Sequence, residues 1–488
     1  MVIWLGADAS PPRPVPLPAG FRLFLFFGGF ALIVLIPALW SRVVARYVAA
    51  GNLHRSLSRF NWGTMIARAM IPAWLAVGVF ALGWCQFVYR ALGPVARWPV
   101  DLPAAVVGTA PAMLAWMAMW WAAYPADRAL REQSLLLQLQ DDLPLHAPPG
   151  FWSYFGANLR MQVLFTIVPI ALILFIRDLA SVILGWGFGI DLYAAKLNSP
   201  AATEAAKTIE WILVPLSAAL VFILAPEILR RVLQTQSLPD SPLRQRLEEM
   251  CRRAGLRYRD ILLWRTGSTM GNAAVMGVLP QVRYILLSDL LLETMTDQQI
   301  EAVFAHEAGH VVHRHIAWYG VFVVIVIASQ LLFAKLAELF NVQLLFIPVW
   351  LRDPIVLAMA VAMFFLLFGM LSRWFERQAD VYAARTMELE QQAAAEASRS
   401  SDNVVGTQGA RIFTSALHRV AVVNNISVSA RNFSHGSIQQ RVDYLRRLSA
   451  QPTQTLRFDR FMRTLYLLLG GALIASIAWV TLLIWRGG

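Results

Sequence analysis

Half of the chain's eight histidines crowd into one short stretch, as His306, His310, His313 and His315. On a helix, positions i and i+4 share a face, so His306 and His310 can ligate one metal ion together. Glu307 projects about 100° round from His306, within reach of a proton on a metal-activated water. With zinc bound, such a water has a pKa near about 7, and a neighbouring carboxylate can take its proton during attack on a peptide carbonyl. The competing account of this stretch is a polar helix at a membrane surface in which the HExxH pattern has arisen by chance.

A catalytic zinc takes three protein ligands and leaves one position open. No histidine follows at the spacing of the longer HExxH motifs, so the third ligand must come from elsewhere. Glu376 is the candidate, in the segment Ser372-Arg373-Trp374-Phe375-Glu376-Arg377-Gln378-Ala379-Asp380 on a predicted helix. Asp380 lies one turn further along the same face, placed to orient a ligating histidine from behind. The alternative is a pair of solvated charges flanked by Arg373 and Arg377. His313 reads as a surface histidine, and His54, His146 and His418 have no evident partner.

The elements that must hold these residues emerge from composition. The chain has 488 residues, 58% hydrophobic and 15% charged, where a soluble domain carries about 25% charge. That shift predicts a membrane protein. Uncharged runs long enough to span a bilayer occur at 23–41, 69–89, 102–126, 316–334, 354–372 and 464–485. Two shorter candidates are 161–176, with a further apolar piece at 179–190 after Arg177-Asp178, and 211–226. The expectation is about eight spans, with 161–190 either one span or a broken pair.

The net charge of +12 is almost all arginine. The arginines sit between apolar runs, which is membrane topology rather than nucleic-acid binding. If the N-terminus is outside, most of the 42 basic residues fall in the inner loops, and the polar regions around HEAGH face the cytoplasm. Two cysteines, Cys85 and Cys251, make no disulfide framework. The Pro-rich N-terminus does not read as a secretory signal. Strands are predicted at 257–264, 273–278 and 282–287. Thr296 to Gln299 has the spacing of a capping box that opens a helix over 297–315. Further helices are predicted at 372–388 and 411–425, with a mobile loop or frayed helix at 389–410.

Several of these features together resemble the integral-membrane zinc metalloproteases that include the type 1 CAAX prenyl endopeptidase and the HtpX-like proteases. They are HEAGH followed by His315, SRWFERQAD at 372–380, Asn272-Ala273-Ala274 before the strand at 282–287, and His435 ahead of Arg441. The resemblance covers about 255–450. It implies that His306, His310 and Glu376 bind one Zn2+, that Glu307 is the catalytic base, and that the edge strand at Asn272, Ala273 and Ala274 holds an extended substrate. Two features depart from the pattern: Gly436 and Ser437 follow His435, and the run at 464–485 lies beyond its usual end. His435, at a loop-to-helix junction, is placed to stabilise an oxyanion, with Arg441 steadying it or a carboxylate such as Asp380. The alternative for Arg441 is a basic face shared with Arg446 and Arg447.

The expected architecture is mainly α, a polytopic helical bundle with a small gluzincin-like α+β zinc protease domain on the cytoplasmic side of a bacterial inner membrane or its equivalent. Its expected parts are a membrane region at 1–228, protease segments at 229–315 and 373–463, two spans within 316–372, and a final span within 464–488. Expected partners are a membrane-associated peptide or protein substrate and the lipid bilayer, with no nucleic acid. Site-2-type intramembrane proteases are disfavoured, because the later apolar runs lack the Asp they use as third ligand. A catalytically inactive scaffold or holdase with a protease-like fold is the alternative of another class.

Overall fold

The computed structural model describes residues 15–49, 53–92, 101–140, 148–190, 192, 204–267, 270–339, 349–394, 404–424, 426–430 and 433–487. The chain divides into two compact units, Met1–Gln234 and Thr235–Gly488.

The first unit is helical: α1 (Ala19–Ala49), α2 (Leu53–Phe80), α3 (Trp84–Leu92), α4 (Asp101–Gln140), α5 (Phe151–Asn158), α6 (Phe165–Phe188) and α7 (Glu204–Val232). Its core gathers Phe26, Phe30, Ile71, Met119 and Trp120, contributed by α1, α2 and α4. The run at 69–89 is not a single helix. Gly83 adopts φ +71°, the left-handed region that glycine enters without a steric cost, and α2 stops before it. The spanning stretch is instead Trp62–Phe80. Trp84 then begins α3 and donates its indole N–H to the Gly108 carbonyl at 2.8 Å.

By contrast, the run at 161–190 is one continuous helix as far as Phe188. A π-type turn at Leu159–Leu164 joins α5 to α6 without a break. The Arg177-Asp178 pair is accommodated by the start of α4. Arg177 forms a buried ion pair with Asp101, and Asp178 accepts from the backbone N–H of Asp101 and Leu102 at 3.1 and 2.9 Å. A carboxylate at a helix N-terminus satisfies donors that have no partner within the helix.

The second unit carries a sheet and the remaining helices. In order they are β1 (Thr235–Ser237), α8 (Pro242–Arg253), β2 (Asp260–Trp264), β3 (Ala273–Met276), β4 (Tyr284–Ser288), α9 (Asp289–Thr294), α10 (Asp297–Val312), α11 (His315–Leu339), α12 (Val349–Ala394), α13 (Thr407–Val423), α14 (Ile438–Ala450) and α15 (Pro452–Gly487). The sheet order is β1-β2-β4-β3, with β2 and β4 parallel and the other pairs antiparallel. β3 therefore lies at an edge. The three predicted strands are present, and β1 is additional.

The predicted capping box is present, with Thr296 and Gln299 each bonding the other's backbone. The apolar run at 354–372 and the predicted helix at 372–388 are one 46-residue helix, α12. Within 389–410, α12 runs to Ala394, and residues 395–403 lie outside the described residues. Phe304, Phe375 and Phe413 meet in the core, so α10, α12 and α13 share one apolar centre.

Seven helices among the described residues are long and apolar enough to cross a membrane: α1, the Trp62–Phe80 part of α2, α4, α5 with α6, and parts of α11, α12 and α15. The run at 211–226 falls within α7, which is not among the seven. The chain is thus a multi-pass membrane protein.

The contact between α12 and α13 depends on Gly409. A Cβ there would stand 2.0 Å from the Ala384 carbonyl oxygen, and the Gly409 N–H donates to Glu388 at 2.6 Å. Gly409→Ala is therefore expected to destabilise the protein by about 1–3 kcal/mol. Gly470→Ala, where a Cβ meets open space, should leave it unchanged or slightly more stable. Thermal unfolding of the detergent-solubilised variants checks this, and equal midpoints for the two would contradict the packing described.

Candidate metal centre

His306 and His310 project from one face of α10, a helix buried on most sides. Their Nε2 atoms face each other at 3.3 Å. Glu376 arrives from α12, its carboxylate oxygens 3.5 Å from His306 Nε2 and 3.6 Å from His310 Nε2. Ligands about 2.0–2.1 Å from a tetrahedral ion stand roughly 3.3–3.4 Å apart, so these three side chains are spaced as three corners of such a site. One atom each from His306, His310 and Glu376 lie within 4.8 Å of one another. Glu376 Oε2 is buried with no hydrogen-bond partner, a cost unless a cation meets it.

Gly309 permits this approach. A Cβ at that position would lie 3.2 Å from the Ala379 Cα and 3.1 Å from the Tyr382 ring, a tight contact that would push α12 outward by a few tenths of an ångström.

Behind these three side chains, Asp380 is fully buried, with Oδ1 3.0 Å from His306 Nδ1. Arg441, from the first turn of α14, grips Asp380 through two nitrogens, its Nε 2.9 Å from Oδ2. It turns inward to that carboxylate, whereas Arg446 and Arg447 are exposed. A second capping box, Ser437 with Gln440, starts α14 at the position that delivers Arg441. His435, just before that cap, places Nδ1 2.8 Å from Glu376 Oε1 and leaves half of its side chain exposed.

The electrostatics favour a cation at this point. Burial alone would lower the His306 pKa, but its bonds to Asp380 and Glu376 outweigh that and hold it up at about 9. His310 is pushed down, first by burial and then by the charge on His306, which leaves a neutral imidazole. Burial, reinforced by Glu376 and opposed by His306, raises Glu307 to about 7, the range suited to a general base at neutral pH. Arg441 stays charged, since Asp380 more than offsets its burial.

Asn272 and the strand after it sit as an edge. Asn272 N–H donates to the Ser288 hydroxyl at 2.8 Å, and Ala273 and Ala274 pair with Leu287 and Leu286. That pairing uses one side of β3 and leaves its other side without a strand among the described residues.

Three contacts at the centre had no signal in the sequence. His315 Nδ1 meets His310 Nδ1 at 2.8 Å, its Nε2 meets Gln378 Oε1 at 3.0 Å, and the Phe413 ring stacks on His306. His313 is not among that trio and lies against Tyr382.

Among solved structures, the crystal structure of S. mikatae Ste24p matches 89% of this chain and 100% of its own at 16% identity, with a TM-score of 0.39. None of the curated proteins matches the chain. Residues 237–449 match the model of Peptidase family M48, a stretch that contains β3, α10, Glu376, Asp380, His435 and Arg441. That stretch of the chain is therefore similar to peptidase family M48.

Proposed function

We propose that this protein is a membrane-embedded zinc endopeptidase that cleaves membrane-associated proteins or peptides. The observation that carries the reading is the meeting of two imidazole Nε2 atoms and one buried carboxylate at tetrahedral spacing, beside Glu307 on the same helix. His306, His310 and Glu376 would hold one Zn2+. When bound, that ion polarises the scissile carbonyl and makes water acidic enough to lose a proton near neutral pH.

The chain's own residues supply the rest. The free edge of β3, from Asn272 through Ala274, pairs with an extended substrate backbone and fixes the scissile bond beside α10. Glu307 accepts a proton from the attacking water and returns it to the departing amine. The half-exposed His435 donates to the carbonyl oxygen as negative charge develops on it. Asp380, held by Arg441, fixes His306 with Nε2 toward the metal.

The domain division follows: membrane helices in 1–228 and 316–372, protease segments in 229–315 and 373–463, and a last span within 464–488. With α7 and its uncharged run at 211–226 counted as an eighth span, the arginine distribution supports a cytoplasmic side for the protease segments, of a bacterial inner membrane or its equivalent. A holdase built on an inactive protease fold is disfavoured, because ligands, base and orienting carboxylate are all of the right type.

One mutational series tests the chemistry. The purified protein should hold about one zinc per chain and lose peptidase activity to a chelator. Glu307→Ala should keep zinc and lose activity, whereas Glu376→Ala should lose both. His435→Ala should keep zinc and lower turnover by roughly 100- to 1,000-fold. Full activity in Glu307→Ala would remove the proposed base, and near-normal turnover in His435→Ala would remove the proposed donor.

Orientation has a separate test. In a background with Cys85 and Cys251 replaced, a cysteine at exposed Gly187 should react with an impermeant maleimide on intact cells, and one at exposed Ser429 only after lysis. Labelling of both from outside would overturn the cytoplasmic placement.

A further inference from the structure

The C-terminal helix α15 carries an apolar run for which the sequence offers no role. At the metal centre it contributes one polar contact. The Tyr466 hydroxyl donates to Gln378 Oε1 at 2.5 Å, with its ring packed on Trp318 at 4.8 Å. The same Oε1 faces His315 Nε2, and His315 Nδ1 faces His310 Nδ1. His315 is wholly buried, and the Phe375 ring lies parallel to it at 4.3 Å.

The order of donors along this chain follows from the Gln378 amide oxygen facing both Tyr466 and His315. A carbonyl oxygen has no proton to give, so Gln378 Oε1 accepts from both Tyr466 and His315 Nε2. His315 then carries its proton on Nε2 and offers the lone pair of Nδ1. That lone pair accepts the Nδ1 proton of His310, which leaves His310 Nε2 bare on the side facing His306 and Glu376. The reverse order would put a proton on His310 Nε2, where it would block ligation. Asp380 does the same for His306 through a charge, whereas this chain is neutral throughout.

We propose that Gln378 and Tyr466 are positioning residues for the metal site, and that α15 is tied to the centre through them. Together they fix the tautomer of His310 by way of His315. The inference rests on the assignment of His306, His310 and Glu376 as zinc ligands.

The test is zinc affinity, read without any peptidase assay. Full-length protein in detergent is stripped of metal and titrated with zinc against a chromophoric chelator, with thermal unfolding of each metal-free variant as a check on folding. Gln378→Met, similar in size but without the acceptor, is expected to weaken zinc binding roughly 10- to 100-fold. Gln378→Glu, which keeps an acceptor oxygen, should bind within about 3-fold of wild type, a rescue that a merely space-filling role would not show. Tyr466→Phe should weaken binding by a smaller factor, about 3- to 10-fold. Unchanged affinity in both Gln378→Met and Tyr466→Phe overturns the proposal. So does equal weakening in Gln378→Met and Gln378→Glu when both are folded. His310→Ala separates the two levels: if it binds zinc like wild type, the ligand assignment itself has failed.

Discussion

Glu376 and Asp380 stand one turn apart on α12, both buried, and the second unit is arranged around keeping them charged. Removing a carboxylate from water costs several kcal/mol unless positive charge and hydrogen bonds replace the solvent. Here Arg441 grips Asp380, His306 touches both carboxylates, and His435 reaches Glu376. Glu376 Oε2 remains without a hydrogen bond at the point where two imidazole nitrogens converge. A divalent cation at that point would meet Oε2 and take the place of the proton on His306, which supports reading the site as a metal centre rather than as a structural ion-pair network.

The constraint reaches into parts of the chain with no chemistry of their own. Arg441 must arrive from α14, so α14 must start at a defined residue, and the Ser437–Gln440 capping box sets that start. Glu376 must reach between the turns of α10, so Gly309 gives α12 room to approach. α13 closes over the opposite side by the close contact at Gly409, and Phe413 from that helix stacks on His306. From α15, Asp459 pairs with Arg385 of α12 at 2.7 Å, and Tyr466 joins the chain behind His310. Because α11, α12 and α15 also carry apolar runs long enough to span a bilayer, the same helices that cross the membrane hold the site.

What could be read from the sequence follows the range of each interaction. The i, i+4 pairs His306/His310 and Glu376/Asp380 were legible, because helical periodicity alone puts each pair on one face. Thr296 to Gln299 was legible for the same reason. The apolar runs were visible, but their breaks were not. The run at 69–89 contains no charge, and only the positive φ of Gly83 divides it. Arg177-Asp178 looked like a break, yet both charges are taken up by the start of α4, more than seventy residues away. The links from His315 to Gln378 and from Gln378 to Tyr466 join residues far apart in the chain, and no local pattern encodes them. β1 is three residues long, too short for period-2 alternation to show.

X-ray absorption at the zinc edge of the purified, zinc-loaded protein tests the central claim most directly. The account predicts two imidazole nitrogens and one or two oxygens at roughly 2.0–2.2 Å, with no sulfur shell. A sulfur shell near about 2.3 Å, or a spectrum without imidazole scattering, would place the metal elsewhere and contradict it.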